Sequence, residues 1–329
     1  MKIIPVFLPY AGCKHRCVFC DQLGATGVSK RPTPGDIEKL VREYLKTASE
    51  YELAFYGGTF TALSEDLQES YLNVIKPYLG KFIKRVRIST RPDEIDEEEA
   101  AFLRERGVSV VEIGAQSMFD DVLEKSARGH TAKDVMRAVR ILKSMNFTVG
   151  VHLMAGLPGS SFYKDVRSAE IVADMGVELA RVHPTLVFRG TELERMMESG
   201  SYKPLDIEEG VIRTAEMVMA LEAGGVKVIR IGLYVPPSLV SNVVAGPYHP
   251  SFGELVRCEI VFRISSELGI DEIEYDERHE SWIRGHGNAI RLKALGIELK
   301  KGTKLRFGSM SYSDAVRRYV RGRRDGSGV

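Results

Sequence analysis

The sequence predicts an α/β chain: a partial (β/α)6 TIM-like barrel followed by a small α+β C-terminal extension. Three observations predict it. Short apolar, β-branched runs alternate with helix-period segments from residue 3 to about residue 234. The repeat is about 30 residues, enough for one strand and its crossover helix. The alternation stops after "YVPPSL" (234–239). Six or seven such units suit a barrel or partial barrel, while a doubly wound open sheet with the same periodicity is the competing arrangement.

The elements follow in order. "IIPVFL" (3–8) reads as a strand, and "TPGDIEKLVREYLKTA" (33–48) as a helix capped by Thr33, with Ile37, Leu40, Val41 and Leu45 on one face. "ELAFY" (52–56) precedes a helix over 64–79 with Ser64 as cap. "RVRIST" (85–90) precedes an acidic-start helix over 96–107 that closes on a glycine. "VSVVEIG" (108–114) is paired with a helix over 131–146, and "TVGVHLMAG" (148–156) with one around 162–175. "LARVHPTLVF" (179–188) leads to a helix over 206–225, and "VKVIRIGLY" (226–234) is a further strand. We expect residues 1–235 to form the barrel and 236–329 the extension. "KKGTKLRF" (300–307) there reads as a turn and strand, and "RGRRDGSGV" (321–329) as disordered.

Hydrophobic (44%) and charged (28%) fractions suit a soluble globular chain, and no run of about 18 uncharged apolar residues suggests a membrane span. The N-terminal apolar run is too short for a signal peptide, so a cytoplasmic location is expected. Net charge is +1, but twelve Lys or Arg against three acids fall between Arg284 and Asp325. That basic C-terminal segment is either an anion-binding surface, for example for RNA, or an ordinary charged surface.

The chemistry concentrates in "PYAGCKHRCVFCDQ" (9–22), where Cys13, Cys17 and Cys20 fall within eight positions of a chain that has four cysteines in all. In a reducing compartment such a cluster points to metal rather than disulfides. Tetrahedral zinc needs a second ligand pair, and none of similar spacing follows, although His15 lies inside the loop. Three thiolates can instead hold three irons of a 4Fe-4S cluster and leave the fourth open. Zinc and redox-active thiols remain the alternatives. Cys258, in the helix-like "ELVRCEIVFRI", reads as a buried small hydrophobe rather than a fourth ligand.

"GCKHRCVFC", with aromatic Phe19 before the third cysteine, resembles the cluster loop of the radical S-adenosylmethionine (radical SAM) superfamily. The resemblance implies a 4Fe-4S cluster on Cys13, Cys17 and Cys20 whose open iron chelates S-adenosylmethionine. It implies reductive cleavage to a 5′-deoxyadenosyl radical, and an external electron donor of the flavodoxin or ferredoxin kind. It assigns Gly57, Gly58 and Thr59 of "YGGTF" to the methionyl amino group, Gln116 to the nucleoside, and Arg128 to the carboxylate. It also places Phe19, Ser89 and His152 at the cofactor. Without the resemblance, the paired glycines read as a tight turn, Arg128 as a surface residue and His152 as a satisfied core histidine.

"STRPDEID" (89–96), "RGHT" and "HPTLVFRGTELERMMESGSYKPL" (183–205) are similar to the radical SAM domain of the Elongator catalytic subunit, which modifies wobble uridines in tRNA. The similarity runs from about residue 3 to about residue 245. The gap between the first two cysteines is shorter here, and Ser89 stands where a glutamate is expected. About 90 residues follow the barrel, fewer than an acetyltransferase domain needs. The resemblance therefore implies a radical enzyme acting on tRNA or another RNA. The alternatives are a small metabolite substrate, as in coproporphyrinogen oxidase relatives, or a non-enzymatic metal-binding module. Tyr248 and His249, in "GPYHPSFGEL", are candidate substrate contacts, with Tyr248 alternatively a packed loop residue. Trp282 is either a stacking platform or a packing residue.

Overall fold

The computed structural model describes the backbone of residues 1–326 and the side chains through residue 323. Seven parallel strands form its main sheet, in the order β1-β2-β3-β4-β5-β6-β8. They are β1 (Lys2–Leu8), β2 (Tyr51–Gly57), β3 (Ile83–Thr90), β4 (Val110–Gln116), β5 (Thr148–Ala155), β6 (Leu179–Pro184) and β8 (Lys227–Ile231). β1 and β8 are unpaired edges, so the curled sheet stays an open, partial barrel, and the doubly wound arrangement is not adopted. Each neighbour in the order is also the next strand of this sheet along the chain, as right-handed βαβ units require.

The crossovers carry α1 (Gln22–Thr26), α2 (Pro34–Tyr44), α3 (Glu65–Ile75), α4 (Glu97–Glu105), α5 (Asp120–Lys125), α6 (Ala132–Ser144), α7 (Phe162–Asp174), α8 (Glu192–Glu198) and α9 (Ile207–Ala223). Local chemistry sets their starts. Thr33 and Thr131 form capping boxes with Asp36 and Asp134, and Asp206 caps α9. Ser64 occupies its expected cap position, but its side chain makes no capping bond.

The two faces of the sheet differ. One alternating set (Ile4, Val6, Leu53, Phe55, Val86, Ile88, Val111, Ile113, Val149, Val151 and Val182) is buried in the main apolar core together with helix residues such as Ile37, Leu72, Val135 and Val172. The other set carries Glu52, Tyr56, Arg87, Ser89, Glu112, Gln116, His152, Arg181 and His183. A closed barrel would fill its interior with such apolar layers. Here the inner face is polar.

Past β8, the short β9 (Val243–Ala245) pairs antiparallel with β7 (Val187–Phe188). α10 (Phe252–Glu267) follows, then α11 (Glu280–Arg284) and α12 (Asn288–Ala294). A small mixed sheet has the order β11-β10-β12-β13, from β10 (Glu272–Tyr275), β11 (Glu298–Lys301), β12 (Arg306–Phe307) and β13 (Met310–Ser311). Residues of α10, α12, β10 and α13 (Tyr312–Gly326) share one core with the barrel helices.

Two expectations change. The predicted strand over 179–188 breaks at Pro184, and only Val187–Phe188 resumes, in a different sheet. The expected disordered tail is helical through Gly326. Ala315, Val316 and Tyr319 form the buried stripe of α13, which an abundance of arginines hides in a composition count. The last three residues, also expected to be disordered, lie outside the described residues. Among the described residues, no helix is long and apolar enough to cross a membrane.

Candidate active site

The loop after β1 carries the cysteines, and backbone geometry holds it against the loop after β2. Gly58 N donates to Leu8 O (2.9 Å) and Thr59 N to Ala11 O (2.6 Å). A Cβ on Gly58 would lie 2.0 Å from Ala11 O, and one on Gly12 2.3 Å from Thr59 O. Both glycines are therefore required for two backbones to approach, and Gly12 also takes a positive φ of 72°. Gln22 tightens the loop's other end: it accepts from Tyr10 N (2.7 Å) and donates to Gly57 O (3.0 Å).

Cys13, Cys17 and Cys20 are free thiols on the wall of one cavity of about 340 Å³ at the C-terminal end of the strands. That is the usual place for a barrel's active site. Phe19, Gly57, Gly58, Thr59, Ser89, Gln116, Arg128 and His152 line the same cavity. The structure thus gathers every cofactor candidate named from the sequence. Tyr248 and His249 do not line it. The Tyr248 hydroxyl donates to Val235 O (3.3 Å) and its ring packs on the apolar group of Leu186, Phe188 and Val235. His249 Nδ1 accepts from Ser251 N (3.1 Å) beside α10. The 246–251 loop folds onto β7, β9 and α10 and does not reach the cysteine cavity. Cys258 is buried in α10 and faces the carbonyls of Ser281 and Gly285. Trp282 packs edge-on against His279 (4.7 Å between centroids), with Arg257 over its ring (4.8 Å).

Electrostatics in the cavity centre on Arg128. Its Nη1 donates to Cys17 Sγ (3.0 Å) and its Nη2 to Gly114 O, which leaves a buried Nε with no partner. The guanidinium thus supports the cysteine loop, a role the resemblance did not assign to it. Thr59 is buried too, its Oγ1 3.5 Å from Cys13 Sγ. Burial, and then the neighbouring Cys17 and Cys13, push the Cys20 thiol up to about 12. A buried thiol beside two further cysteine sulfurs is a donor that a bound cationic centre would relieve.

The fit to a larger group can be tested on unsatisfied atoms. Gln116 Oε1, Arg128 Nε, Arg91 Nη1 and His152 Nε2 are all buried without a hydrogen-bond partner, and all four residues line this cavity. Buried polar groups are rarely left unpaired, so a polar ligand belongs here. Gln116 is held at φ 70° at a bulge in β4, an unfavourable conformation for a non-glycine residue. Among the described residues, no three His, Cys, Asp or Glu side chains are arranged to hold one metal ion. A cuboidal cluster takes its thiolates at three separate irons, so this donor set fits a cluster better than it fits zinc.

Several residues at the site went unnamed in the sequence reading. Glu112 and Arg91 line the cavity, Arg91 held by Asp93 in a two-pronged pair (2.8 and 3.0 Å). Beneath them Arg87 bridges buried Glu52 and Glu112, and Arg181 Nε donates to Glu112 (2.9 Å) while its Nη2 reaches the Tyr56 hydroxyl (3.2 Å). His152 and His183 meet edge-to-face, centroids 4.4 Å apart, each with a buried unpartnered Nε2. Burial, and then the Arg181 and Arg128 charges, hold His152 down to about 3, and His183 also lies well below its usual value. Both imidazoles are therefore neutral. The missed signal was a period of two: Glu112, Gly114 and Gln116 on β4, and Arg181 and His183 on β6, interrupt otherwise apolar strands.

The sequence pattern of the radical SAM superfamily matches residues 7–166, and that of the radical SAM C-terminal domain matches residues 177–261. The chain belongs to the radical SAM superfamily. Among similar proteins, a tRNA uridine(34) acetyltransferase of Methanocaldococcus infernus is 29% identical over 226 residues, 62% of this chain and 42% of that protein. Human Elongator complex protein 3 is 29% identical over 260 residues, 69% of this chain and 46% of that protein. The solved archaeal Elp3 of Methanocaldococcus infernus with an N-terminal deletion superimposes with a TM-score of 0.62 at 23% identity. That match covers 82% of this chain and 63% of that one, and it shows a shared fold. The chain thus spans less than two thirds of each of these three proteins.

Proposed function

We propose that this chain cleaves S-adenosylmethionine reductively at a 4Fe-4S cluster held by Cys13, Cys17 and Cys20, and that the radical acts on an RNA. One observation carries the first part: three free thiols of one loop share a cavity wall with four buried polar groups that lack partners. With cluster and cofactor bound, one electron converts S-adenosylmethionine to methionine and a 5′-deoxyadenosyl radical that takes a hydrogen atom from substrate.

The chain's own residues bind, orient and enclose. Gly12 and Gly58 fix the cysteine loop on the GGT turn. Arg128 offsets the negative charge of the Cys17 thiolate, and its free Nε suits a carboxylate oxygen. The Gln116 and His152 side chains offer hydrogen bonds within the cavity, and Phe19 offers an apolar surface. The Glu112–Arg181–Tyr56 floor, with neutral His152 and His183, supplies polar groups on the substrate side. Assignment of Phe19, Gly57, Gly58, Thr59, Ser89, Gln116, Arg128 and His152 to the cofactor is part of this reading. So are the barrel limits of residues 1–235 with the extension at 236–329, and a cytoplasmic setting in which thiols stay reduced.

RNA is favoured because relatives carry tRNA modification in their names. The basic C-terminal segment is weaker support than its count suggests. Arg284, Arg291, Lys300, Lys301, Arg317 and Arg323 each lie within ion-pair distance of a carboxylate, which among the described residues leaves Lys293, Lys304, Arg306, Arg318 and Arg321 as its more available cations. That pairing is the observation favouring the second reading, a small metabolite. Anaerobic reconstitution, iron counting and a dithionite-driven 5′-deoxyadenosine assay test the chemistry: bound iron and product are expected, and their absence overturns it. Filter binding to bulk tRNA tests the substrate class. The RNA reading expects affinity that weakens with salt, and no affinity at low salt rejects it.

A further inference from the structure

The resemblance leaves Arg91 without a task. This arginine follows β3 directly, is 4% exposed and lines the cysteine cavity. Asp93 accepts from its Nε (3.0 Å) and its Nη2 (2.8 Å), and the remaining Nη1 is buried with no partner. Two contacts pin the segment that carries it. The Thr90 and Thr61 hydroxyls share a hydrogen bond (2.6 Å) just past the Gly57–Thr59 turn. Lys14, between Cys13 and Cys17, pairs with Glu94 (2.8 Å). Residues 90–94 are thus tied to both loops that build the cysteine side of the cavity. Arg128 faces the same corner. Its Nη1 and Nη2 are engaged by Cys17 Sγ and Gly114 O, which leaves Nε as its one nitrogen without a partner. Both guanidiniums bear on His130, which burial and then the Arg128 and Arg91 charges hold down to about 4.

We propose that Arg91 binds the α-carboxylate of S-adenosylmethionine, giving Nη1 to one oxygen while Arg128 gives Nε to the other. The inference rests on the cofactor reading above and deepens it, because the resemblance assigned that carboxylate to Arg128 alone. A carboxylate pairs best with two N–H donors, one at each oxygen, and Arg128 has a single unpartnered nitrogen to offer. The carboxylate is also the one anionic group of that cofactor, and a corner of two guanidiniums repels its ammonium. The amino group is left to the Gly57–Thr59 turn. Asp93 is then a positioning residue: by gripping Nε and Nη2 it fixes the plane of the guanidinium and so the direction of Nη1.

The test compares two ligands, S-adenosylmethionine and its decarboxylated form, on the reconstituted parent, R91Q and D93N. Affinity is read by anaerobic calorimetry without reductant, so no turnover is needed. In the parent, removing the carboxylate from the ligand should weaken binding about tenfold or more. R91Q should lose about tenfold or more in affinity for S-adenosylmethionine and change by less than about twofold for the decarboxylated ligand. D93N keeps the buried guanidinium and loosens only its aim. It should show a smaller loss, again confined to the ligand with the carboxylate, and it guards against misfolding of R91Q. Iron per chain should match the parent in both variants, since Arg91 bonds to Asp93 and to no cysteine. Equal losses for the two ligands would make Arg91 a structural residue and overturn the proposal. Unchanged affinity for S-adenosylmethionine in both variants also overturns it, with the cofactor reading intact. A parent that binds no S-adenosylmethionine rejects the cofactor reading, and the proposal with it.

Discussion

The cysteine loop and the inner wall of the barrel are built in opposite ways. The loop collects three thiols, an aromatic residue and a fixing glycine between Gly12 and Cys20. The wall draws Tyr56, Glu112, His152, Arg181 and His183 from four strands spread over more than 100 residues of chain. Chemistry held on one loop is encoded locally, whereas chemistry held on a sheet is assembled by register, one or two residues per strand. The comparison predicts that loop substitutions abolish cofactor loading, while wall substitutions change stability and substrate handling.

The largest effect should come from Cys17→Ala. It removes a proposed iron ligand and the thiol that faces Arg128. Iron content and 5′-deoxyadenosine formation should both drop by about 100-fold or more, since the reaction runs through the bound cofactor. Cleavage near the parent rate would break the assignment of the loop.

How much of this was legible follows from the same contrast. The strands announced themselves because their outer residues are continuously apolar, and the cysteine loop because its spacing needs no tertiary context. Arg181 and His183 were hidden inside "LARVHPTLVF", where Pro184 also ends the strand early. Their importance depends on β6 lying beside β5, with His152 opposite Arg181, and no local pattern states that pairing. The placement of Tyr248 and His249 outside the cysteine cavity was hidden for the converse reason: turn and aromatic residues mark an ordered loop, but only packing decides which way it folds.

Next in size is Arg87→Met. Glu52 and Glu112 both lean on this guanidinium, and all three are almost fully buried. Removing it leaves two buried carboxylates short of a partner, at a cost of about 3–5 kcal/mol. Urea denaturation of the apo chain would show it, and a loss under about 1 kcal/mol would mean that water already screens the wall. Gly58→Ala should follow, because its Cβ has only backbone to move. We expect about 1–3 kcal/mol of destabilisation and reduced iron loading, read by the same two assays.

The histidine pair gives a pH signature with a definite sign. Unfolded, both imidazoles titrate near 6.5; folded, His152 is held down to about 3 and His183 well below its usual value. The unfolded chain therefore binds more protons below 6.5, so this contribution is full above that pH and is lost as pH falls toward 3. His183→Gln should flatten part of the decline in melting temperature between about pH 6.5 and 4. An unchanged profile would place the imidazole in contact with solvent, outside the barrel wall.

The smallest effect separates the two ends of the comparison from the residue that belongs to neither. Tyr248→Phe removes one hydroxyl hydrogen bond to Val235 O, 3.3 Å long and half-buried, and leaves the ring on Leu186 and Phe188. Such a bond contributes about 0.5–1.5 kcal/mol, and at this length the low end applies. Iron loading, S-adenosylmethionine cleavage and tRNA affinity should all match the parent. A selective fall in substrate-stimulated cleavage, with stability intact, would show that the 246–251 loop leaves its packed position when substrate arrives. The inner wall would then have a movable side that the register of its strands does not reveal.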